Sequence, residues 1–106
     1  MDILHQYKSL PPNIKKIVSE FTKPIHSNRF LNSIESLKQD SKKINFDTKW
    51  NNNPQKFALD YYGYAEYYLV VLLVNNLKSI FEFNLDYIKE SIILAPHEYT
   101  IINTIT

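Results

Sequence analysis

Cysteine is absent from the 106 residues, and glycine and tryptophan occur once each, as Gly63 and Trp50. Without cysteine the chain has no disulfide scaffold and no thiolate metal site. A single glycine cannot build a phosphate-cradling loop, which needs several. Neither sign of charge dominates. Twelve lysines and arginines face eleven carboxylates, interspersed, so the electrostatic footprint of a nucleic-acid binder is missing. The apolar stretch from Tyr67 to Leu77 falls well short of the roughly 20 residues that span a bilayer. The start, Met1-Asp2-Ile3-Leu4-His5-Gln6, lacks the basic-then-apolar layout of a secretory signal. The expectation is a soluble chain with no recognisable export signal and neither membrane nor nucleic acid as partner.

What is present is aromatic. Hydrophobic residues make up 44% and aromatic residues 14%, with eight tyrosines and six phenylalanines, which excludes a wholly disordered polypeptide. The length suits one domain with a modest core and an extension. Tyrosine joins an apolar ring to a polar tip and serves half-buried positions and interfaces. Catalytic constellations are not visible. His5, His26 and His97 stand apart in polar surroundings, with no spacing that would hold a metal. Asp60, Glu66, Glu82, Asp86 and Glu90 are scattered, whereas a general acid–base pair needs two groups brought together. Ser9, Ser19, Ser33 and Ser36 lack a nucleophile-elbow context. No cofactor, metal or catalytic residue is expected.

Along the chain, Ile14, Ile17, Val18 and Phe21 share one side of a helix that Pro24 ends. Ser27 or Asn28 can cap a second helix carrying Phe30, Leu31, Ile34 and Leu37. Asp40-Ser41-Lys42-Lys43 has the composition of a connector, and Ile44-Asn45-Phe46 that of a short strand. Asn53 before Pro54 is an N-cap with proline at the first helical position. Phe57, Ala58 and Tyr61 then face inward, and the helix stops at Tyr62. Gly63 follows as its terminator, in the left-handed conformation that costs side-chained residues roughly 1 kcal/mol or more.

A second helix begins at Tyr64-Ala65-Glu66, and from Tyr67 to Val74 it is apolar on nearly all faces, the mark of burial from several sides. Val70, Val71 and Val74 would also permit a strand. Asn75-Asn76 closes the element. Ile80-Phe81-Glu82-Phe83 is an apolar loop or short extended piece, and Ser91 to Ala95 a strand stopped by Pro96. The β-branched residues of Tyr99 to Thr106 predict a further strand or a segment extended across another chain. The predicted fold class is α+β. Residues 1–43 form an N-terminal helical arm, 44–96 a βααβ domain and 97–106 an extended tail.

These residues resemble a known family. The order Ile44-Asn45-Phe46-Asp47-Thr48, Phe57-Ala58-x-x-Tyr61-Tyr62-Gly63, Leu72-Leu73-x-Asn75-Asn76 and Ile93-Leu94-Ala95-Pro96 resembles a LysM domain over about half the chain. The register of Pro54, Gly63, the pair Tyr67-Tyr68, the pair Asn75-Asn76 and Ile80-Phe81-Glu82-Phe83 is similar to the LysM-like baseplate wedge proteins of contractile-tailed bacteriophages. Two departures stand out. Phe46 replaces the glycine usual ahead of Asp-Thr, and no glycine lies near Glu90 before the last strand.

The resemblance implies a non-enzymatic structural protein of a virion tail baseplate, assembled in the host cytoplasm and joining neighbouring tail proteins by protein–protein contact. Pro54, Gly63, Asn75, Asn76 and Pro96 would be its structural motif. The expected partner interface is Trp50, Tyr62, Tyr64, Tyr67, Tyr68, Ile80, Phe81 and Phe83. Of the tyrosines, Tyr61 and either Tyr67 or Tyr68 belong to the core. In carbohydrate-binding LysM domains the groove would fall between Asp47–Asn51 and Asn76–Ile80, where Trp50 could stack on a sugar. Leu77, Ile80, Phe81 and Phe83 make that place more apolar than a sugar needs, so protein partners are expected over glycan. The alternatives are a peptidoglycan- or chitin-binding LysM module, and a small helical regulatory binding protein in which residues 44–96 form an all-helical bundle.

Overall fold

Asn53 and Gly63 bracket the element from which the rest of the fold is positioned. The structure, a computed structural model, describes residues 33–105 together with Lys15, Lys16 and Ser19. In chain order the elements are α1 (Ile34–Gln39), β1 (Ser41–Asn45), α2 (Pro54–Tyr62), α3 (Tyr68–Val74), β2 (Ile92–Pro96) and α4 (Glu98–Ile105). Short 3-10 turns connect them. The protein is a small α+β domain with a two-stranded antiparallel sheet.

Helix α2 begins where the Asn53 side chain accepts from the Lys56 N–H at 3.2 Å and Pro54 occupies the first turn. It ends as the sequence predicts. Gly63 sits at φ 88°, and its N–H donates to the Leu59 carbonyl at 2.9 Å. A Cβ there would meet nothing within 4 Å, so only the backbone conformation demands glycine.

The chain then makes a 3-10 turn over Ala65–Tyr67 before α3 begins, a tighter entry than the plain helix start expected at Tyr64. Helix α3 buries Val70, Val71, Leu72 and Val74, as an all-round apolar helix must. It closes in a Schellman arrangement. Asn76 is left-handed at φ 62°, its N–H meets the Leu73 carbonyl, and the Leu77 N–H meets the Leu72 carbonyl.

The sheet pairs Ser41 with Pro96, Lys43 with Leu94 and Asn45 with Ile92. Strand β1 thus occupies Ser41-Lys42-Lys43, the expected connector, and stops before Phe46, whose N–H still donates to the Ser91 carbonyl at 2.8 Å. Pro96 is the last residue of β2 rather than its stop, at a strand end where its missing N–H is tolerated. Pairing between β1 and β2 removes the all-helical premise of the regulator alternative.

The hairpin of α2 and α3 is buried from both sides. On the sheet side Phe57, Val71, Leu72, Phe83, Ile93 and Ala95 form one apolar cluster. On the other, Ala58, Val70 and Val74 meet Leu37 of α1 and Ile101 of α4. Leu37 and Ile101 are both fully buried, so α1 belongs to the core. The expected end of an arm at residue 43 is corrected to a domain that already includes α1. Within the rest of the arm, the positions assigned to Ile14, Ile17, Val18, Phe21, Pro24, Ser27, Asn28, Phe30 and Leu31 lie outside the described residues.

The extended tail is also corrected. Residues 98–105 are a helix despite their β-branched composition. Packing overrides propensity here. Ile101 fills the core, the Tyr67 hydroxyl donates to Glu98 at 2.6 Å, and the Thr100 hydroxyl donates to Asp40.

Two consecutive residues before β2, Glu90 and Ser91, take φ of 59° and 58°. Both carry side chains in a conformation that costs roughly 1 kcal/mol or more each. Glu90→Gly is therefore expected to stabilise the domain by about 0.5–1 kcal/mol, read as a raised urea midpoint with an unchanged slope. Phe46, by contrast, is not left-handed, so the turn ahead of Asp47 forms without glycine.

A pinned aromatic loop as candidate interaction surface

Aromatic rings dominate the molecule, and their placement separates what builds the core from what is offered outward. Trp50 ends a 3-10 turn whose N-cap, Asp47, accepts from the Lys49 N–H at 2.9 Å. The indole turns inward. It is 9% exposed, its N–H donates to Asp60 Oδ2 at 2.8 Å, and its ring meets Phe57 edge-on at 4.8 Å. The Lys49 ammonium lies 5.1 Å from the ring centroid. Trp50 is corrected from a partner residue to a core residue, and it offers no free face on which a sugar could stack.

Asp60 answers this hydrogen bond electrostatically. The Trp50 N–H above all, assisted by the charges of Lys56 and Lys49, holds its carboxyl below the ordinary 3.8 against the opposing effect of desolvation. A lowered folded-state pKa contributes stability above the unfolded value and loses it as pH falls through the folded one. The thermal midpoint is expected to decline as pH drops below about 3.8. Asp60→Asn should flatten that part of the profile, measured by circular dichroism melts between pH 2 and pH 6.

The tyrosines around Gly63 form a run of touching rings. Tyr61 meets Tyr62 at 4.7 Å, Tyr62 meets Tyr67 at 4.7 Å, and Tyr64 meets Tyr67 at 6.5 Å. Tyr67 is fully buried, which corrects its assignment to an interface. The half-buried Tyr62 donates its hydroxyl to the Pro96 carbonyl at 2.5 Å, and burial pushes its phenol up in pKa so that it remains a donor. Tyr64 and Tyr68 are half-buried. These rings tie the α2–α3 hairpin to β2 and α4.

Phe83 is corrected as well. It is fully buried against Phe46 at 5.5 Å and Phe57 at 6.1 Å. Its neighbour two positions earlier points the opposite way: Phe81 is 72% exposed. Ile80 beside it is half-buried. Leu85 and Tyr87, at 52% and 55%, extend the exposed apolar surface along the same segment. Sequence reasoning missed both, and the signal was faint, because Asn84-Leu85-Asp86-Tyr87 alternates polar and apolar without a neighbour of known orientation.

The 80–87 segment is held from beneath. Asn84 donates to the Asn52 side chain at 2.9 Å and to the Phe81 carbonyl at 2.8 Å. The Asn52 N–H reaches the Phe83 carbonyl at 2.7 Å, and Glu82 accepts from the Lys78 N–H at 2.9 Å. Phe81 is thus an aromatic side chain on a fixed backbone, the arrangement that loses least entropy on docking.

Asn75 contributes differently. Its amide donates to Val71 O at 2.7 Å and to Leu94 O at 2.9 Å, and its carbonyl accepts from the Leu94 N–H at 2.8 Å. A primary amide here exchanges with Leu94 the two bonds that a residue of a third strand would make. Pro54 and Gly63 bound α2, Asn75 and Asn76 close α3, and Pro96 is the last residue of β2.

Among the described residues no group of three His, Cys, Asp or Glu side chains could hold a metal, and no helix is long and apolar enough to cross a membrane. His97 is exposed, and His5 and His26 lie outside the described residues. Comparison with protein-family profiles, curated proteins and solved structures found no match for this chain.

Proposed function

We propose that this chain is a non-enzymatic assembly protein, a LysM-like module of a contractile phage tail baseplate that joins neighbouring subunits. The observation that carries the proposal is the register of strand, capped helix, Gly63, apolar helix and Asn75-latched strand, in the order in which the family's motifs occur. The left-handed pair Glu90–Ser91 adds to it, because the backbone there has the conformation that a glycine before the last strand would serve. The docking element is the 80–87 segment with Phe81 at its tip, flanked by Leu85 and Tyr87. Three exposed apolar side chains on a braced loop suit a protein surface. The inward Trp50 removes the stacking platform that a glycan-binding module would use.

The test is composition of the particle. Tails purified from the virus that encodes this chain should contain it in fixed ratio to wedge subunits by quantitative mass spectrometry, and Phe81→Ser with Leu85→Ser should abolish its incorporation while the free chain stays folded. Absence of the chain from purified tails overturns the proposal.

A further inference from the structure

A groove of about 400 Å³ opens where α1, the C-terminal end of α3 and β2 meet, with Tyr87 from the end of the 80–87 segment in its lining. Its floor is aliphatic, made of Val74, Ile88, Ile92 and Leu94. Val74 and Ile88 are buried, whereas Ile92 and Leu94 keep part of their surface open to an occupant. Lys38, Lys43 and Lys89 stand around it, with Glu90 the one carboxylate in the lining. That balance is local. Residues 33–106 as a whole carry seven lysines and nine carboxylates, so the groove gathers cations out of an acidic domain. Lys38 is engaged with Glu35 at 3.8 Å on the helix surface, a weak pair. Lys43 and Lys89 are exposed and form no ion pair among the described residues.

We propose that this groove receives an acidic, extended polypeptide segment of a partner protein, whose carboxylates meet Lys38, Lys43 and Lys89 while its aliphatic side chains cover Ile92 and Leu94. The chemistry of the lining selects this occupant. A polyanion such as nucleic acid would gain nothing from an aliphatic floor, and the net charge of +1 supplies no wider field to hold it. A lone phosphate would leave the same floor uncovered. The side-chain amide of Asn76 and the hydroxyl of Tyr87, both in the lining, can bond the main chain of an extended segment. The chain's own N-terminal residues 1–32 fit poorly, with five cations, Lys8, Lys15, Lys16, Lys23 and Arg29, against Asp2 and Glu20. The occupant therefore comes from another protein. This site is independent of the tail-baseplate proposal, since it rests on the groove and its charges alone.

The experiment titrates the full-length, nitrogen-15-labelled chain with the acetylated and amidated hexapeptide ELDIEL, followed by amide chemical shifts. Saturable shifts are expected at Lys43, Asn76, Lys89 and Leu94, and weaker binding in 0.5 M salt. The double variant Lys43→Glu with Lys89→Glu should weaken binding at least tenfold, and Glu90→Gln should tighten it about threefold. Should the double variant not fold, Lys43→Gln with Lys89→Gln is expected to weaken binding about fivefold. Any of four outcomes overturns the proposal: no shifts at millimolar peptide, shifts centred elsewhere, equal binding of the basic analogue KLKIKL, or equal shifts from inorganic phosphate or a short DNA duplex.

Discussion

Asn75→Leu is expected to destabilise the domain by about 3 kcal/mol, a fall of roughly 10–20 °C in melting temperature. Three hydrogen bonds disappear with the amide, those to Val71 O, Leu94 O and from Leu94 N–H. Each is worth about 1 kcal/mol net, and more where the abandoned group stays out of water. The Leu94 peptide groups lie between the sheet and α3 in a part-buried position, so leucine shields them without pairing them. Asn75→Asp sharpens the measurement. The ionised carboxylate can still accept from Leu94 N–H but faces the carbonyls of Val71 and Leu94, so the loss should be at least as large at neutral pH and smaller at pH 3, where the acid regains a donor. Urea denaturation of the three proteins decides the matter. A loss below 1 kcal/mol for Asn75→Leu would mean that water satisfies Leu94.

Phe57→Ala should cost about 4 kcal/mol, within the range for emptying an aromatic site. Phe57 is fully buried and is the hub of its neighbourhood. Trp50 meets it edge-on at 4.8 Å, Tyr61 stacks parallel at 5.7 Å, and Phe83 leans on it at 6.1 Å. Removal opens a cavity and also strips these rings of a partner, each contact adding about 0.5–1.5 kcal/mol beyond area. Trp50, the sole tryptophan, makes the change visible. Its emission should shift to the red even below the unfolding transition, because the indole loses the wall that shields it from water. Phe57→Leu keeps most of the volume and should lose less than half as much.

The α2–α3 hairpin was the most legible part of the chain. Asn53-Pro54 and Gly63 are local signals whose physics needs no distant partner, and the structure places the cap and the stop at those residues. Asn75-Asn76 was legible as a helix end for the same reason. The grip of Asn75 on Leu94, nineteen residues away, was not, since no spacing along the chain encodes it.

Strand β1 escaped at its start because Ser41-Lys42-Lys43 shows no alternation. Its burial runs part-buried, exposed, exposed, part-buried, exposed, so only Ile44 carries an apolar signal. The tail misled in the opposite direction. Thr and Ile favour strands on average, but Ile101 had a fully buried place waiting at helical spacing from the Glu98 anchor. Among the residues expected at an interface, Phe81 is exposed, whereas Trp50, Tyr67 and Phe83 turn inward. In a run such as Ile80-Phe81-Glu82-Phe83, composition cannot say which ring faces out; the 3-10 turn over Ile80–Glu82 settles it.

The amide of Asn75 also limits how such a module can grow. By occupying the peptide of Leu94 it seals one margin of the sheet, and the Ile92 N–H is taken by the Lys89 carbonyl. Among the described residues, only the flank of Ser41–Asn45 is left to accept a further strand. Strand-by-strand association can therefore proceed once and then terminate, giving a finite pair where a two-edged ribbon would polymerise into a fibre.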